Sequence, residues 1–363
     1  MIHIDNTALY RIDQLIQKRA NFAVYKKPND PSIHFVMQER GAPLLLSSFS
    51  ELNEKEGFVI APFAVSKEEP IVLLRIDRRS FPSQQELDHL PVAKEAIEVE
   101  EEPLAQELMF NRYQRCFDAF KKPLEEKKVK KIVLARHKVI ERANENSLAS
   151  LFKRACRSYP NSFVYLMHTP QTGVWIGSTP EVLLWGENKQ WKTVALAGTI
   201  PYEEGVAPRW SKKNRLEQDL VVQYLKGQLG RWGITPQVTG PTTIRAGEIA
   251  HLVSHFTFWL DSSNRLGEFI ELLHPTPAVC GLPKEEAFRY IVKNEGQNRG
   301  YYSGFIGELS PIHTRLFVNL RCMQVGKSCY TLYAGGGLLP SSQLLEEWQE
   351  TERKMRTMSG LLQ

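Results

Sequence analysis

Two glutamates and a lysine near the C-terminus recur at helical spacing. Glu347, Glu350 and Lys354 are three and four residues apart, so a helix presents them on one face. A neighbouring apolar stripe consists of Leu344, Trp348, Thr351, Met355 and Met358. Two interpretations stay open from this spacing: carboxylates turned towards a site, or an exposed helix face with weak ion pairs.

A second helical pattern, at residues 210–230, carries Glu217 at the border of its apolar face. A glutamate in such a position is usually only a boundary residue. If the fold brings Glu217 close to Glu350, hard oxygen ligands on two rigid helices would suit Mg²⁺. The spacing leaves open whether the two side chains meet.

Glycines follow two strand-like segments, and a lysine opens a third. Gly198 in LAGT and Gly335–Gly337 in YAGGG are interpreted as strand ends whose N–H groups can bind a carboxylate, or as ordinary turns or bulges. Lys131 begins the segment KIVLAR, where a lysine is normally solvated. The segment LLHPTPAVCGLP has three prolines and predicts a rigid loop.

Several familiar motifs are missing from the sequence. It has no Walker A sequence, no GxGxxG after a strand, no HExxH and no GxSxG. The usual sequence support for nucleotide, zinc-protease and serine-hydrolase sites is therefore lacking.

Composition indicates an ordinary soluble protein. The 363 residues are 42% hydrophobic and 24% charged, and the net charge of +5 is spread along the chain, which argues against nucleic-acid binding. Five widely spaced cysteines without a CxxC pair indicate reduced thiols. Without a signal-peptide pattern or a membrane-length apolar run, we expect a cytoplasmic protein that does not bind membranes.

Strand-like segments occur in consecutive runs rather than in strict alternation with helices. They lie at 57–64, 70–76, 130–140, 162–168, 173–178, 181–185, 191–198, 315–325 and 328–336. Helical patterns begin near residue 105 and recur at 146–158, 210–230, 284–294 and 342–358. This order predicts an α/β fold of large antiparallel sheets with helices on the outside, as one unit. The acidic stretch at residues 95–103 is interpreted as solvated.

Ten segments, taken in order from about Lys130 to the C-terminus, resemble the chorismate-utilising enzymes, and among them the isochorismate synthases. They are KIVLAR, GSTPE, ALAGT, KNRLEQDLVV, HLVS, LHPTPAVCG, NRGYYSGFIGE, NLRC, YAGGGL and EEWQETERK. The resemblance implies a single chorismate-binding domain. Its catalytic region would be residues 101–363, and residues 1–100 would be a weakly matching part of the same unit.

The resemblance also implies roles for individual residues. Lys131 would be the general base that activates water for attack at C2 of chorismate, and Glu181 the general acid that protonates the departing C4 hydroxyl. Glu217 and Glu350 would bind Mg²⁺, with Glu347 nearby and acting through water. Positions that hold substrate carboxylates and hydroxyls would be Gly198, Thr199, His251, Tyr302, Arg321, Gly335 and Lys354.

This distribution of residue types suits the chemistry. Chorismate is a dianion, so one carboxylate can complete a Mg²⁺ shell while Arg321 binds another in a forked, charge-assisted pair. Water is a poor nucleophile and hydroxide a poor leaving group, so a base and an acid are needed on opposite sides of the ring. Glu181 must keep its proton to act as that acid, which requires a poorly solvated position.

Single positions distinguish the related activities. Anthranilate synthases usually have glutamine at the position of Lys131, and aminodeoxychorismate synthases typically have lysine at that of Ala197. Salicylate synthases, which also expel pyruvate, tend to have threonine where this chain has Ala278. Gln218 stands where many relatives have histidine, which affects only the surroundings of the metal ligand.

We therefore expect a Mg²⁺-dependent isomerase that interconverts chorismate and isochorismate. A bifunctional salicylate synthase and a non-catalytic chorismate-binding relative are the alternatives. The resemblance implies a monomer, with chorismate as its partner. It leaves open whether the product feeds menaquinone or siderophore synthesis.

Overall fold

The computed structural model describes residues 6–92, 101–142, 147–202, 204–246, 249–260 and 264–363. In these residues the strands pair antiparallel in two large sheets, and the helices cover them. The predicted fold class, α/β with packed antiparallel sheets and external helices, is confirmed. The acidic stretch at 95–103 lies mostly outside the described residues.

The strands differ widely in length. In chain order they are β1 (Asn21–Lys26), β2 (Ile33–Gln38), β3 (Leu44–Leu46), β4 (Gly57–Ala61), β5 (Ile71–Leu74), β6 (Lys131–Glu141), β7 (Phe163–Thr169), β8 (Gly173–Thr179), β9 (Val182–Glu187), β10 (Gln190–Pro201), β11 (Gln237–Ala246), β12 (Ile249–Trp259), β13 (Gly281–Leu282), β14 (Phe305–Leu309), β15 (His313–Val318), β16 (Cys322–Val325) and β17 (Cys329–Leu338). The first sheet has the order β13-β6-β17-β16-β8-β7-β1-β2, and the second β11-β12-β10-β9-β15-β14-β4-β5-β3.

The helices begin mostly after polar or proline residues. They are α1 (Asn6–Gln17), α2 (Gln84–His89), α3 (Gln106–Glu125), α4 (Leu148–Ser158), α5 (Lys212–Arg231), α6 (Leu266–Leu273), α7 (Lys284–Asn294) and α8 (Leu344–Ser359). The Ser211 side chain caps α5 by accepting a hydrogen bond from the Asn214 N–H. Among the described helices, none has the length and apolar character needed to cross a bilayer.

The two sheets pack face to face and are covered on their outer sides, so the molecule has helix, sheet, sheet and helix layers. Alternate residues of β1 show this: Phe22 and Val24 pack towards α1 and α4, whereas Ala23 and Tyr25 lie between the sheets. Both faces of the central strands are therefore buried. This explains why segments such as β7, in which residues 163–167 are all apolar, do not alternate between apolar and polar residues.

Most predicted elements are present, with one important correction. The segment 315–325, predicted as one strand, is divided into β15 in the second sheet and β16 in the first. Asn319–Arg321 form the crossing, and Arg321 has a positive φ of 47° there. Residues before 100 supply β1–β5 to both sheets. The proposed division of the chain at about residue 100 stays a prediction.

Candidate active site

The candidate site lies where the chain passes between the sheets. It passes at Pro180–Glu181, between β8 and β9, and again at Asn319–Arg321. The two crossings are bonded to each other: the Val318 N–H donates to the Glu181 carbonyl and the Ser178 N–H to the Arg321 carbonyl, each at 2.9 Å. This pairing places the side chains of Glu181 and Arg321 in a common cavity.

The cavity contains about 610 Å³ of empty space, part of it open to solvent. Many of the residues proposed from the sequence line it: Glu181, Gly198, Thr199, Glu217, His251, Tyr302, Arg321, Gly335 and Lys354. Lys131, Glu347 and Glu350 lie behind this lining, and each contacts a residue at or beside the cavity wall. The fold thus gathers residues from β6, β10, β12, β17, α5 and α8 around one volume.

Lys131 begins β6 and is fully buried, unlike the usual solvated lysine at a strand end. Its Nζ lies 2.9 Å from Glu217 Oε1, an ion pair whose alignment falls short of a hydrogen bond. Gly337 on the adjacent strand makes this approach possible, because a Cβ there would lie 2.5 Å from Glu217 Oε1 and 2.8 Å from Lys131 Cε. The glycine therefore leaves room for the amine and the carboxylate.

Glu181 is 1% exposed, and burial raises the pKa of its carboxyl to about 7. A hydrogen bond of 3.2 Å from the Thr276 hydroxyl opposes this rise, as do the charges of Lys131, Arg321 and Lys354. Desolvation exceeds these opposing effects. At neutral pH a substantial fraction of Glu181 is consequently protonated and able to donate a proton.

Three lysine–glutamate pairs surround the glycine strand. Lys131 pairs with Glu217, Lys213 Nζ lies 2.6 Å from Glu347 Oε1, and Lys354 Nζ lies 2.6 Å from Glu350 Oε1. The Lys354 ammonium also donates to the Gly335 carbonyl at 2.8 Å. These pairs leave the cluster electrically balanced.

The three carboxylates act together on Lys213. Burial opposes its charge, but Glu347, Glu350 and Glu217 raise the pKa of the ammonium above its ordinary value. Burial and the nearby charge of Glu350 raise the pKa of Glu347. Burial also opposes the charge of Glu350, but the charge and hydrogen bond of Lys354, together with the charge of Lys213, lower the pKa of Glu350. The Lys213 ammonium is thus a cation placed among three carboxylates.

The donor chemistry of this cluster suits a hard divalent cation, although its present arrangement is closed by lysines. In the described parts of the chain, no three histidine, cysteine or acidic side chains form a group ready to hold a metal ion. However, Glu347 Oε2 is buried and accepts no hydrogen bond within the described residues, and it would lie 3.0 Å from a Cβ at Gly336. Carboxylate oxygens on rigid helices are the ligands that Mg²⁺ prefers, so the residues fit that ion.

Arg321 is a cation in the cavity wall that can bind an anion. Arg321 Nη2 lies 2.9 Å from His251 Nε2, and the His251 Nδ1–H donates to the Gly198 carbonyl at 2.9 Å. Burial and the charges of Arg321 and Lys354 lower the pKa of His251 to about 3, so its neutral ring accepts from the guanidinium. Arg321 Nη1 is buried and has no partner among the described residues. It is therefore available for a carboxylate oxygen.

The glycine prediction needs a correction. Gly198 and Gly335–Gly337 were expected at strand ends, but both sites lie within strands, β10 and β17. Gly198 forms a bulge with a φ of 67°, where the register of β10 against β12 shifts, and Thr199 Oγ1 lies 3.3 Å from His251 Nδ1. Gly335–Gly337 pair continuously with β6. Because these glycines have no side chains, they leave space for the side chains of neighbouring residues.

Sequence reasoning missed several residues around the cavity. Thr276, which hydrogen-bonds Glu181, was present in the proline-rich segment, and Lys213 lies one helical turn before Glu217. The ring of Tyr333 stacks on that of Tyr302 with centroids 5.5 Å apart. Gln218 donates to the Ala195 carbonyl and Ser254 Oγ at 2.9 and 3.0 Å, which fixes α5 against β10 and β12. The departure at Gln218 thus keeps a positioning contact beside Glu217.

Curated proteins similar to this chain are isochorismate synthases. MenF of Escherichia coli strain K12 is 31% identical over 252 residues, which are 67% of this chain and 58% of that protein. EntC of the same strain is 30% identical over 242 residues, 63% of this chain and 61% of that protein. The alignments therefore span less than two thirds of the length of these relatives.

Solved structures show the same fold along nearly the whole chain. The menaquinone-specific isochorismate synthase MenF from Escherichia coli has a TM-score of 0.77 at 22% identity, covering 99% of this chain and 92% of that one. DhbC from Bacillus anthracis, described as a 2,3-dihydroxybenzoate-specific isochorismate synthase, has a TM-score of 0.77 at 21% identity, covering 98% and 99%. The family model described as chorismate binding enzyme matches residues 51–363, and the chain belongs to this family.

Proposed function

We propose that the protein is an isochorismate synthase, which interconverts chorismate and isochorismate by adding water at C2 and releasing the C4 hydroxyl. The observation that carries this proposal is the burial of a protonatable carboxyl in the cavity wall and of an amine behind that wall: Glu181 is 1% and Lys131 0% exposed. The similarity to MenF and EntC supports the same activity.

Lys131, in the form of its free amine, would act as the general base and Glu181 as the general acid. The base takes a proton from the attacking water, and the acid donates one to the leaving hydroxyl, so no net proton is consumed. A pKa of about 7 lets Glu181 hold its proton at neutral pH and release it during the reaction.

One of the substrate's carboxylates would meet the guanidinium group of Arg321 in the cavity wall. Arg321, with its buried and unpartnered Nη1, would bind one carboxylate in a charge-assisted pair. Tyr302, Thr199 and the Gly198 bulge would orient the ring and its hydroxyls. Bound substrate would displace water from the cavity, so water would stay only where the substrate leaves room for it.

Glu217 and Glu350 would hold Mg²⁺, with Glu347 nearby and acting through water. When bound, the ion would neutralise and orient a substrate carboxylate. The support from this chain is the convergence of three carboxylates around Lys213 and the unpartnered Glu347 Oε2. Monomeric state and cytoplasmic location stay predictions from the sequence.

A coupled assay tests this function. Purified protein is incubated with chorismate and Mg²⁺, and an isochorismate pyruvate-lyase is added to convert any isochorismate into fluorescent salicylate. We expect salicylate only when the lyase is present, and loss of the signal when EDTA removes Mg²⁺.

Each other outcome has a distinct meaning. Salicylate without the lyase would identify a bifunctional salicylate synthase instead. No product, together with a chorismate-induced rise in melting temperature, would identify a non-catalytic binding protein. Full activity in EDTA would remove Mg²⁺ from the proposal.

A further inference from the structure

A second cavity lies between the first half of α3, β6 and the residues that follow α7. Its empty space is about 980 Å³, part of it open to solvent, and it shares no lining residue with the candidate active site in the described chain. We call it the α3 cleft. Leu104, Met109 and Ala135 give it an apolar wall, and Arg112, Arg115 and Arg136 give it a basic one.

The basic wall has unused hydrogen-bonding groups. Arg136 and Tyr113 are 5% and 3% exposed, yet Arg136 Nη1 and the Tyr113 hydroxyl have no partner among the described residues. Arg112 and Arg115 are exposed and form no salt bridge within those residues. Buried donors without partners are costly unless a ligand or water satisfies them.

Two acidic groups near the cleft are already paired with cations. Glu295 accepts two hydrogen bonds of 2.6 Å from Arg299, and Glu352 accepts from Arg136 and Lys138. Glu101 lies beside the cleft, with its Oε2 3.7 Å from Nε2 of the lining residue His137, and the exposed Arg112 and Arg115 outnumber this carboxylate. A neutral or cationic ligand would leave them unpaired, whereas an anion would match them.

Two residues that line the cleft contact α8, the helix that carries Glu347 and Glu350. Arg136 Nε donates to Thr351 Oγ1 at 2.7 Å, and its guanidinium lies 3.7 Å above the Trp348 ring. The Tyr113 ring meets the same indole edge to face at 5.4 Å. Trp348 and Thr351 lie on α8, which also carries Glu347, Glu350 and Lys354.

We propose that the α3 cleft binds a small organic anion, with a carboxylate or phosphate group on an apolar body, and that its occupancy alters the stability of α8. The anionic group pairs with Arg112 and Arg115 and accepts from Arg136 and Tyr113. The apolar body covers Leu104, Met109 and Ala135. Among the described residues, this site shares no lining residue with the candidate active site.

Calorimetric titration of the full chain tests the site with three probes of similar shape: benzoate, phenyl phosphate and neutral benzamide. We expect saturable one-to-one binding of at least one anion and none of benzamide. The anion that binds more tightly identifies the preferred group. Absence of saturable binding by both anions would overturn the proposal.

Variants distinguish this cleft from the candidate active site, which can also attract an aromatic carboxylate. The double variant Arg112→Gln with Arg115→Gln should weaken binding at least about tenfold, since two charge-assisted contacts are lost. Arg321→Ala should leave it unchanged. Binding lost in Arg321→Ala but kept in the double variant would place the anion in the active-site cavity and contradict the proposal.

Arg289→Gln is the matched control. Arg289 and Arg115 are both exposed helix arginines whose Nε donates to the carbonyl four residues earlier. An equal loss of affinity in this variant would indicate non-specific attraction.

Hydrogen exchange tests the connection between the cleft and α8. The bound anion should slow exchange of the α8 amides, and identical rates with and without the anion would contradict the connection.

Discussion

Burial gives individual side chains in the cavity properties that they lack in water. Glu181 has its pKa raised to about 7 and His251 has its pKa lowered to about 3, and desolvation is the largest cause of both shifts. In each case the neutral form is favoured. A neutral carboxyl can donate a proton, and a neutral imidazole can accept a hydrogen bond from Arg321. The same buried environment therefore favours a proton donor at Glu181 and a hydrogen-bond acceptor at His251.

Glu181→Gln should remove a pH-dependent part of the stability. Between its ordinary pKa near 4.5 and about 7, folded Glu181 binds more protons than the unfolded chain does, so the free energy of unfolding of the wild type falls as pH rises. The shift corresponds to about 3 kcal/mol. We expect the variant to gain that much relative to wild type between pH 4.5 and pH 8 in urea unfolding.

Glu125→Gln, at an exposed helix position, controls for the loss of one carboxylate. Parallel pH profiles of wild type and Glu181→Gln would show that the native carboxyl is not held protonated, and would remove the basis for its acid role.

Lys131→Ala should abolish turnover while leaving substrate binding. The variant removes the proposed base but keeps the anion contacts of Arg321, so kcat should fall at least about 100-fold with little change in KM. The lyase-coupled assay measures kcat, and calorimetry measures chorismate binding. Lys130→Ala, at the exposed neighbouring position, is the control. Wild-type turnover in Lys131→Ala would exclude its role as base.

At the scale of elements, strand β17 leaves space for side chains of neighbouring elements. Its glycine run maintains all pairs with β6 while removing side chains from both faces. A Cβ at Gly337 would be too close to Lys131 and Glu217, and one at Gly336 would be 3.0 Å from Glu347 Oε2. Side chains of α5 and α8 can thus lie against the backbone of a regular strand.

Gly337→Ala should impair the site more than the fold. The atoms that its methyl group meets are ends of flexible side chains, so the free energy of unfolding should change by only about 1 kcal/mol. Displacing Lys131 and Glu217 should lower kcat at least about tenfold. Urea unfolding and the coupled assay measure the two effects.

Gly227→Ala adds the same methyl group within α5, where it meets no atom within 4 Å. This control should keep full activity and gain about 0.5 to 1 kcal/mol of stability, because alanine favours a helix. Equal activity of Gly337→Ala and wild type would show that the close approach at β17 is unimportant.

Local sequence patterns predicted the elements better than their connections. Helices α4, α5, α7 and α8 follow from apolar periodicity, because that signal lies within each helix. The division of 315–325 does not, since both halves are equally apolar. It depends on Asn319, fully buried, whose amide donates to the Tyr301 carbonyl at 2.9 Å and accepts from the Tyr165 hydroxyl at 2.6 Å. Those partners are distant in sequence.

Prediction of the candidate site from the sequence has the same limit, because local patterns do not show which distant side chains meet. Family resemblance proposed Lys131, Glu181 and Glu217 individually. In the fold, Glu181 and Glu217 line one cavity, and Lys131 lies behind its wall in contact with Glu217. No local pattern shows that Lys213 sits among three carboxylates or that Thr276 bonds Glu181, because these contacts join segments far apart in the chain.

At the scale of the molecule, the cavity joins the two sheets. Its walls come from β6 and β17 of the first sheet and from β10 and β12 of the second, and the paired crossings at Glu181 and Arg321 run between them. A ligand in this cavity contacts both sheets at once and binds only when they are docked. Substrate binding should therefore stabilise the whole unit rather than one layer.

Chorismate with Mg²⁺ should raise the melting temperature of the entire protein in a single transition. At about 100 times Kd the ligand contributes about 2.7 kcal/mol, which for a chain of this length is a rise of about 3 °C. Scanning calorimetry of Lys131→Ala avoids turnover during heating. Arg321→Ala in the same background should lose most of the rise, since its carboxylate contact is gone. Two transitions, only one of which responds to chorismate, would mean that the sheets unfold separately and that the cavity does not bridge them.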